Sequence, residues 1–204
     1  VALNCVSNGR LIKEGGFENI WVQPASGDAG GALGCALFSY HHILNYNKKV
    51  YKNNDNMNNS YLGPSYKNPE VKRVLDNIGA KYSLLNRKEL IDYITNEIIK
   101  QKVIGWFQGR MEFGPRALGN RSIIADPRSN KMQNKINLKI KFRESFRPFA
   151  PVILKEKLYE WFDLKKESKY MSFVAKVNKK YLRKLSQAEK SIAGLKRLSL
   201  KTSH

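Results

Sequence analysis

The stretch GWFQGRMEFGPRALGNRSIIADPRSNKMQNKINLKIKFRESFRPFAP, Gly105 to Pro151, decides how this chain is read. An apolar run, Val103 to Phe107, enters a loop carrying Gly109, Gly114 and Gly119. Arg110, Arg116, Arg121, Arg128, Arg143 and Arg147 punctuate the stretch. Glycine lacks a Cβ and tolerates positive φ, so backbone approaches a ligand closely. Arginine offers a planar, permanently charged fork that matches phosphate or carboxylate oxygens in pairs. The stretch holds six arginines and four lysines against three acids, Glu112, Asp126 and Glu144. Internal neutralisation is therefore incomplete, which favours a pocket for a small oxygen-rich anion over a purely structural network. Arg116, Arg121, Lys141 and Arg147 are its candidates. Arg110, Arg128 and Arg143 read as structural or surface groups. The loop is no Walker A motif, because no Gly-Lys-Ser/Thr follows, and its glycines are not spaced as GxGxxG.

Around this stretch strands and helices alternate, which gives an α/β class. Val103–Phe107 and Ser122–Ala125 read as strands, the first of them central, with a third at Phe149–Leu154. Helices are expected over Asn68–Ile78, stopped by Gly79, and over Arg87–Gln101, with Leu90, Ile91, Ile94 and Ile98 facing a core. Two more are expected over Ser129–Ile140 and Lys155–Leu164, the latter turning Leu158, Trp161 and Phe162 inward. Val1 to Val6 reads as a buried strand that turns at Ser7-Asn8-Gly9. A helix starts after the glycine turn PASGDAGG, Pro24 to Gly31. Three units result: 1–45, an Asn/Lys-rich linker at 46–60, and 61–204.

The net charge of +20 implies anionic partners, although much of the excess is lysine that reads as a solvated surface. A hydrophobic fraction of 42% supplies a core. Cys5 and Cys35 form neither a CxxC nor a disulfide framework, and both read as small buried residues in a reducing, cytoplasmic compartment. No run reaches the roughly 20 apolar residues that span a bilayer, and no signal peptide opens the chain. By pattern alone Asp28 is a helix-capping aspartate more readily than a metal ligand. His41 and His42 point about 100° apart on a helix and so do not share an ion. Asn4 suits a ligand contact or a backbone tie, and the pattern does not choose. No serine or cysteine nucleophile has a paired base, which favours positioning and charge neutralisation over a covalent intermediate.

GRMEFGPRALGNRSIIADPR, with KIKFRESFRPFAP after it, closely resembles the NodU-type O-carbamoyltransferase family, whose members carbamoylate nodulation factors and antibiotics. VALNCVSNGRL and PASGDAGGALGCAL resemble the end of that family's ATPase-like domain. The likeness covers about residues 1 to 45 and 61 to 175. It implies the last segment of an ASKHA-type nucleotide-binding domain followed by a YrdC-like twisted-sheet domain. It implies an ATP-dependent enzyme in which carbamoyl phosphate gives carbamate, carbamate and ATP give carbamoyladenylate, and the carbamoyl group passes to an acceptor hydroxyl. Matched by motif, Arg116, Lys141 and Arg147 are catalytic and, with Arg121, bind the donor. Asn4, Gly30 and Gly31 meet the nucleotide, and Asp28 ligates a divalent metal, iron or magnesium, which reverses the pattern-only reading. The family's upstream half and its HVDGTAR-type motif have no counterpart here, so the chain is expected to be a fragment, truncated at its C-terminus and incomplete for the full reaction. Two other readings compete: a basic RNA-binding module, disfavoured by the motif, and an inactive truncated piece that exposes a face of residues 1–45. The donor reading requires Arg116 and Arg147 to converge on one cradle.

Overall fold

The computed structural model describes residues 1–47, 55–164 and 167–200 of the chain. The order along it is α1 (Cys5–Glu14), α2 (Asp28–Phe38), α3 (Asn68–Asn77), α4 (Arg87–Ile99), β1 (Ile104–Phe107), β2 (Arg121–Ile124), α5 (Met132–Lys139), α6 (Leu158–Trp161), β3 (Phe162–Asp163), β4 (Lys176–Val177) and α7 (Gln187–Lys190). β1 pairs with β2, and β3 runs antiparallel to β4 with Phe162 opposite Val177. The class is mixed α/β with small sheets. Two compact units make it up. One holds Val1–Ser83, Trp106–Ser122 and Ser168–Val174. The other holds Leu84–Gly105, Ile123–Glu167 and Ala175–His204.

In the first unit the N-terminal strand expectation is overturned. Val1 to Asn4 is a turn leading into α1, which already includes Cys5 and Val6, because Asn4 caps that helix and accepts a hydrogen bond from Ser7 N at 3.1 Å. The Ser7-Asn8-Gly9 turn signal lies inside the helix. Asn8 is buried there and donates to Ala2 O and Ser172 O. A Cβ on Gly9 would stand 2.8 Å from Val174 O, so this glycine serves close packing rather than a turn. α2 begins at Asp28 and has no buried residue; Leu37 and Phe38 on it are exposed. Cys35 on this helix is exposed rather than buried, and Cys5 is half-buried, both as free thiols. Residues 48–54 of the expected linker lie outside the described residues. Asp55 to Ser60 are described, and Met57 and Ser60 are buried. The Tyr170 hydroxyl and Met57 N both donate to Asp55.

α3 forms as the sequence predicts. Glu70 reaches back to Lys67 N at 2.7 Å, Pro69 sits in the first turn, and Gly79 leaves the helix with φ +64°. Its Val71, Val74 and Ile78 form an apolar stripe at helical spacing that stays exposed.

In the second unit α4 opens with a reciprocal cap. Asn86 accepts from Lys88 N and Glu89 N, and Glu89 accepts from Asn86 N. Leu90, Ile94 and Ile98 are half-buried, whereas Ile91 is exposed, so the apolar stripe is narrower than its spacing predicts. α5 starts three residues later than expected and buries Met132 and Ile136, with Ile140 exposed. Phe149–Leu154 has no ladder among the described residues, contrary to the expected third strand. The expected Lys155–Leu164 helix shortens to a single turn of 3₁₀-helix plus α6, then becomes β3. Asn178 explains the break: it donates to Tyr159 O and Glu160 O, carbonyls that a longer helix needs for its own ladder. Trp161 is partly exposed and stacks on Tyr181 at 3.9 Å.

The buried set is more polar than apolar. Among the described residues Pro24, Ala25, Met57, Met132 and Ile136 are its apolar members, beside Asn8, Ser60, Glu97, Glu112, Asn120, Asp126, Asn137 and Ser172. Hydrogen-bonded polar anchors therefore fix the loops.

Candidate functional site

The glycine-arginine loop, 108–122, lies in the first unit and is built around Glu112. Gly109, Gly114 and Gly119 all have positive φ, +57°, +117° and +116°, where a Cβ is strained. Gly114 also packs on Ala25, whose Cβ would lie 3.1 Å from an added one. These bends curl the chain around the Glu112 side chain, which is fully shielded from solvent. Its Oε1 accepts from Leu118 N at 2.6 Å and Asn120 N at 2.8 Å. Its Oε2 faces Arg121 Nε at 3.3 Å, an ion-pair contact without hydrogen-bond alignment. Burial works to raise the Glu112 pKa, but the Asn120 and Leu118 N–H donors outweigh it and hold the carboxyl below its usual value. Asn120 donates to Arg110 O, and Gly119 N donates to Ser122 Oγ, closing the loop on itself.

Within this loop the two candidate arginines differ. Arg121 donates to Gly114 O and faces Glu112, so its guanidinium braces the loop. Arg116 is half-buried and donates from Nη2 to Leu3 O at 2.8 Å. Its Nε is buried with no partner, and it makes no ion pair among the described residues. A buried N–H donor without an acceptor is costly, and an anion oxygen is the natural acceptor. Arg110 reaches Leu62 O at 3.4 Å, a structural contact.

Lys141 and Arg147 lie in the second unit, on the loop that follows α5. Lys141 is exposed. Arg147 pairs with Glu144 at 2.8 Å, both half-exposed. Glu144 is held below its usual pKa first by its own backbone N–H and then by Arg147. Arg143 turns inward: its Nε donates to Asn137 Oδ1 at 2.7 Å and its guanidinium lies 4.9 Å from the Phe149 ring centre. Asn137, with no exposed surface, and Gln133 hold the loop backbone, and no local sequence signal points to either.

Asp126 in the same unit is buried and fully engaged. Arg128 grips both its oxygens, and Gln101 Nε2 donates at 2.7 Å. The Arg128 side chain first, and then the Arg128 backbone N–H, depress its pKa strongly. Its stabilising contribution is complete above the unfolded carboxyl pKa of about 4 and fades as pH falls from there toward the lower native value. The melting temperature of Asp126→Asn should thus lie well below that of the unaltered chain at neutral pH. The gap should narrow in scans taken at successively lower pH below about 4.

The front turn belongs to the first unit. Asp28 is exposed as the first residue of α2. No group of three or more His, Cys, Asp or Glu capable of holding a metal occurs among the described residues. Asp28 therefore belongs to no such group among the described residues, and these residues do not fit a metal on their own. A Cβ on Gly30 would stand 2.3 Å from Ala25 O, so Gly30 lets α2 sit on the preceding turn, while Gly31 has open space around it. Asn4 Oδ1 is engaged as the α1 cap. His41 contacts Tyr46 O and His42 stacks on Phe38. No helix among the described residues is long and apolar enough to cross a membrane.

Comparison with known proteins adds the family. The model described as carbamoyltransferase N-terminus matches residues 1–37, and that described as carbamoyltransferase C-terminus matches residues 95–194. The chain is 48% identical over 202 residues to the uncharacterized protein sll1178 of Synechocystis, covering 98% of this chain and 33% of that protein. It is 40% identical over 185 residues to nodulation protein NolO of Bradyrhizobium diazoefficiens, covering 87% of this chain and 32% of NolO. It is 29% identical over 180 residues to the 3'-hydroxymethylcephem-O-carbamoyltransferase of Streptomyces clavuligerus, covering 86% of this chain and 31% of that enzyme. The chain thus spans about a third of the length of the curated relatives it matches.

Proposed function

The chain belongs to the carbamoyltransferase family, and from that premise we propose that it carries the carbamoyl-donor site of an ATP-dependent O-carbamoyltransferase. The donor is carbamoyl phosphate. The observation that carries this is Arg116: a half-buried guanidinium with an unpartnered Nε, on a glycine-bent loop inside the matched segment. Arg121 acts by bracing the Arg116 loop through Glu112, and the motif likeness assigns donor-binding roles to Lys141 and Arg147 on the loop after α5. As water hydrolyses carbamoyl phosphate to carbamate, the phosphate leaves with growing negative charge, and fixed cationic donors stabilise that charge more than they stabilise the intact donor. The carbamate released then attacks the α-phosphate of ATP, expelling pyrophosphate and forming carbamoyladenylate. An acceptor hydroxyl attacks the carbamoyl carbon and AMP leaves. In this reading residues 61–204 are YrdC-like and residues 1–45 are part of an ASKHA-type nucleotide domain, with Asn4, Gly30 and Gly31 on the ATP side.

The test is calorimetric titration of the chain with carbamoyl phosphate at low and at physiological salt. Saturable binding that persists at the higher salt is expected, because a small ligand contacts few charges. Absence of a heat signal, together with tight RNA binding that falls steeply with salt, would overturn the donor reading in favour of a nucleic-acid surface.

A further inference from the structure

α5 places Gln133 and Asn137 one turn apart, so both side chains leave the same helix face. Both face the backbone of the following loop. Asn137 Nδ2 donates to Ser145 O at 3.0 Å and to Arg147 O at 2.9 Å. Gln133 Nε2 donates to Phe146 O at 3.1 Å and to Arg147 O at 3.2 Å. Three consecutive carbonyls are thereby gathered by two amides, with Arg147 O shared between them. The Asn137 Oδ1 accepts from Arg143 Nε at 2.7 Å, and since arginine only donates, the amide orientation is fixed by chemistry. The Asn137 backbone carbonyl takes Arg143 N at 3.0 Å as well. Every polar atom of the Asn137 side chain is engaged, and none of its surface reaches solvent.

The consequence is a division of labour among the basic residues of this loop. Arg143 is drawn inward onto Asn137 and Phe149. Lys141 remains exposed, and among the described residues the Arg147 side chain pairs with the half-exposed Glu144. The loop is thus held by its backbone, with two cationic heads left at the surface.

We propose that Asn137 and Gln133 are positioning residues of the donor site, fixing the Ser145–Arg147 carbonyls so that Lys141 and Arg147 are held ready for the donor's phosphate. The inference rests on the donor-binding reading above. Neither residue touches the donor. What they control is orientation, which matters for a ligand that must be gripped at both its phosphate and its carbamoyl end, and matters less for a bare phosphate.

The full chain is titrated with carbamoyl phosphate and, separately, with inorganic phosphate, for the unaltered protein and for Asn137→Asp, Asn137→Ala and Gln133→Ala. A carboxylate at 137 keeps the Arg143 contact and loses both donations to carbonyls. Asn137→Asp should weaken carbamoyl phosphate binding about tenfold or more, the size expected for losing a buried hydrogen-bonding group. Its effect on inorganic phosphate should be much smaller, so the ratio of the two affinities falls. Gln133→Ala alters a half-buried side chain, and should show the same falling ratio with the chain still folded and its melting temperature only modestly lowered; it decides the matter if the Asn137 variants fail to fold. An unchanged ratio in Gln133→Ala, with the unaltered chain binding carbamoyl phosphate, overturns this inference alone. No binding by the unaltered chain overturns the donor reading and this inference with it.

Discussion

Glu112→Ala should lower the unfolding free energy by about 3 kcal/mol, through loss of a buried acceptor that serves several donors at once. The Glu112 side chain has no solvent exposure, and its Oε1 takes the backbone N–H groups of Leu118 and Asn120. Removing it leaves both donors unsatisfied, at about 1–3 kcal/mol for each such buried group if nothing relaxes. Arg121 also loses the one carboxylate it faces. Partial relaxation and water entry keep the total nearer the lower end of that sum. Glu112→Gln retains the shape and one acceptor oxygen, so it should cost about half as much. The native carboxyl is held below its usual pKa. The stability gap between the unaltered chain and Glu112→Gln should therefore be full above the unfolded carboxyl pKa and shrink as pH falls through the native one. Chemical denaturation followed by fluorescence measures the change as a shifted midpoint at constant slope. An alanine variant within about 0.5 kcal/mol of the unaltered chain would mean that the loop does not depend on this carboxylate.

The Glu112 loop also separates what local sequence conveys from what it hides. Gly109, Gly114 and Gly119 were legible because positive φ is a property of single residues, and all three adopt it. Helix ends at Pro69 and Gly79 were legible for the same reason, because each acts over one turn. The use of the charges was not legible. Counting three acids against ten cations between 105 and 151 gives the surplus, but not which arginine each acid takes. Glu112 binds two backbone N–H groups before it meets Arg121, Asp126 goes to Arg128, and Glu144 to Arg147. Arg116 keeps an unpartnered donor as a result, a property of assembled geometry.

Two misreadings have a common physical origin. Val1 to Val6 looks like a strand because it is apolar, and Ser7-Asn8-Gly9 looks like a turn because its residues favour turns. Here Asn4 caps a helix instead, and Asn8 and Gly9 are selected by the 172–174 segment that packs on them, 164 residues further along. Phe149–Leu154 has strand composition, yet Phe149 sits against Arg143 and the segment finds no ladder among the described residues. In each case a contact made outside the segment outweighs local propensity. Asn137 and Gln133 escaped notice for the converse reason: amides in a helix of modest amphipathicity carry no local signal, and their meaning lies in carbonyls eight to fourteen positions later.

Arg116→Ala should weaken carbamoyl phosphate binding about 100-fold while changing stability far less than Glu112→Ala does. A charge-assisted hydrogen bond to phosphate contributes about 1.5–3 kcal/mol, and a guanidinium reaching two oxygens lies at the upper end. At about 1.4 kcal/mol per tenfold, that is a factor of about 100. On the stability side Arg116 contributes one hydrogen bond to Leu3 O, and its removal also relieves the buried, unpartnered Nε. These two effects oppose each other, so the melting temperature should move little. Arg116→Lys should restore only part of the affinity, because an ammonium keeps the charge but lacks the fork that reaches two oxygens and the Nε donor. Calorimetric titration paired with thermal unfolding separates the outcomes. Lost affinity at steady stability assigns Arg116 to the ligand. Lost stability at steady affinity would make Arg116 a tie between its loop and Leu3, and the donor reading would lose the observation that carries it.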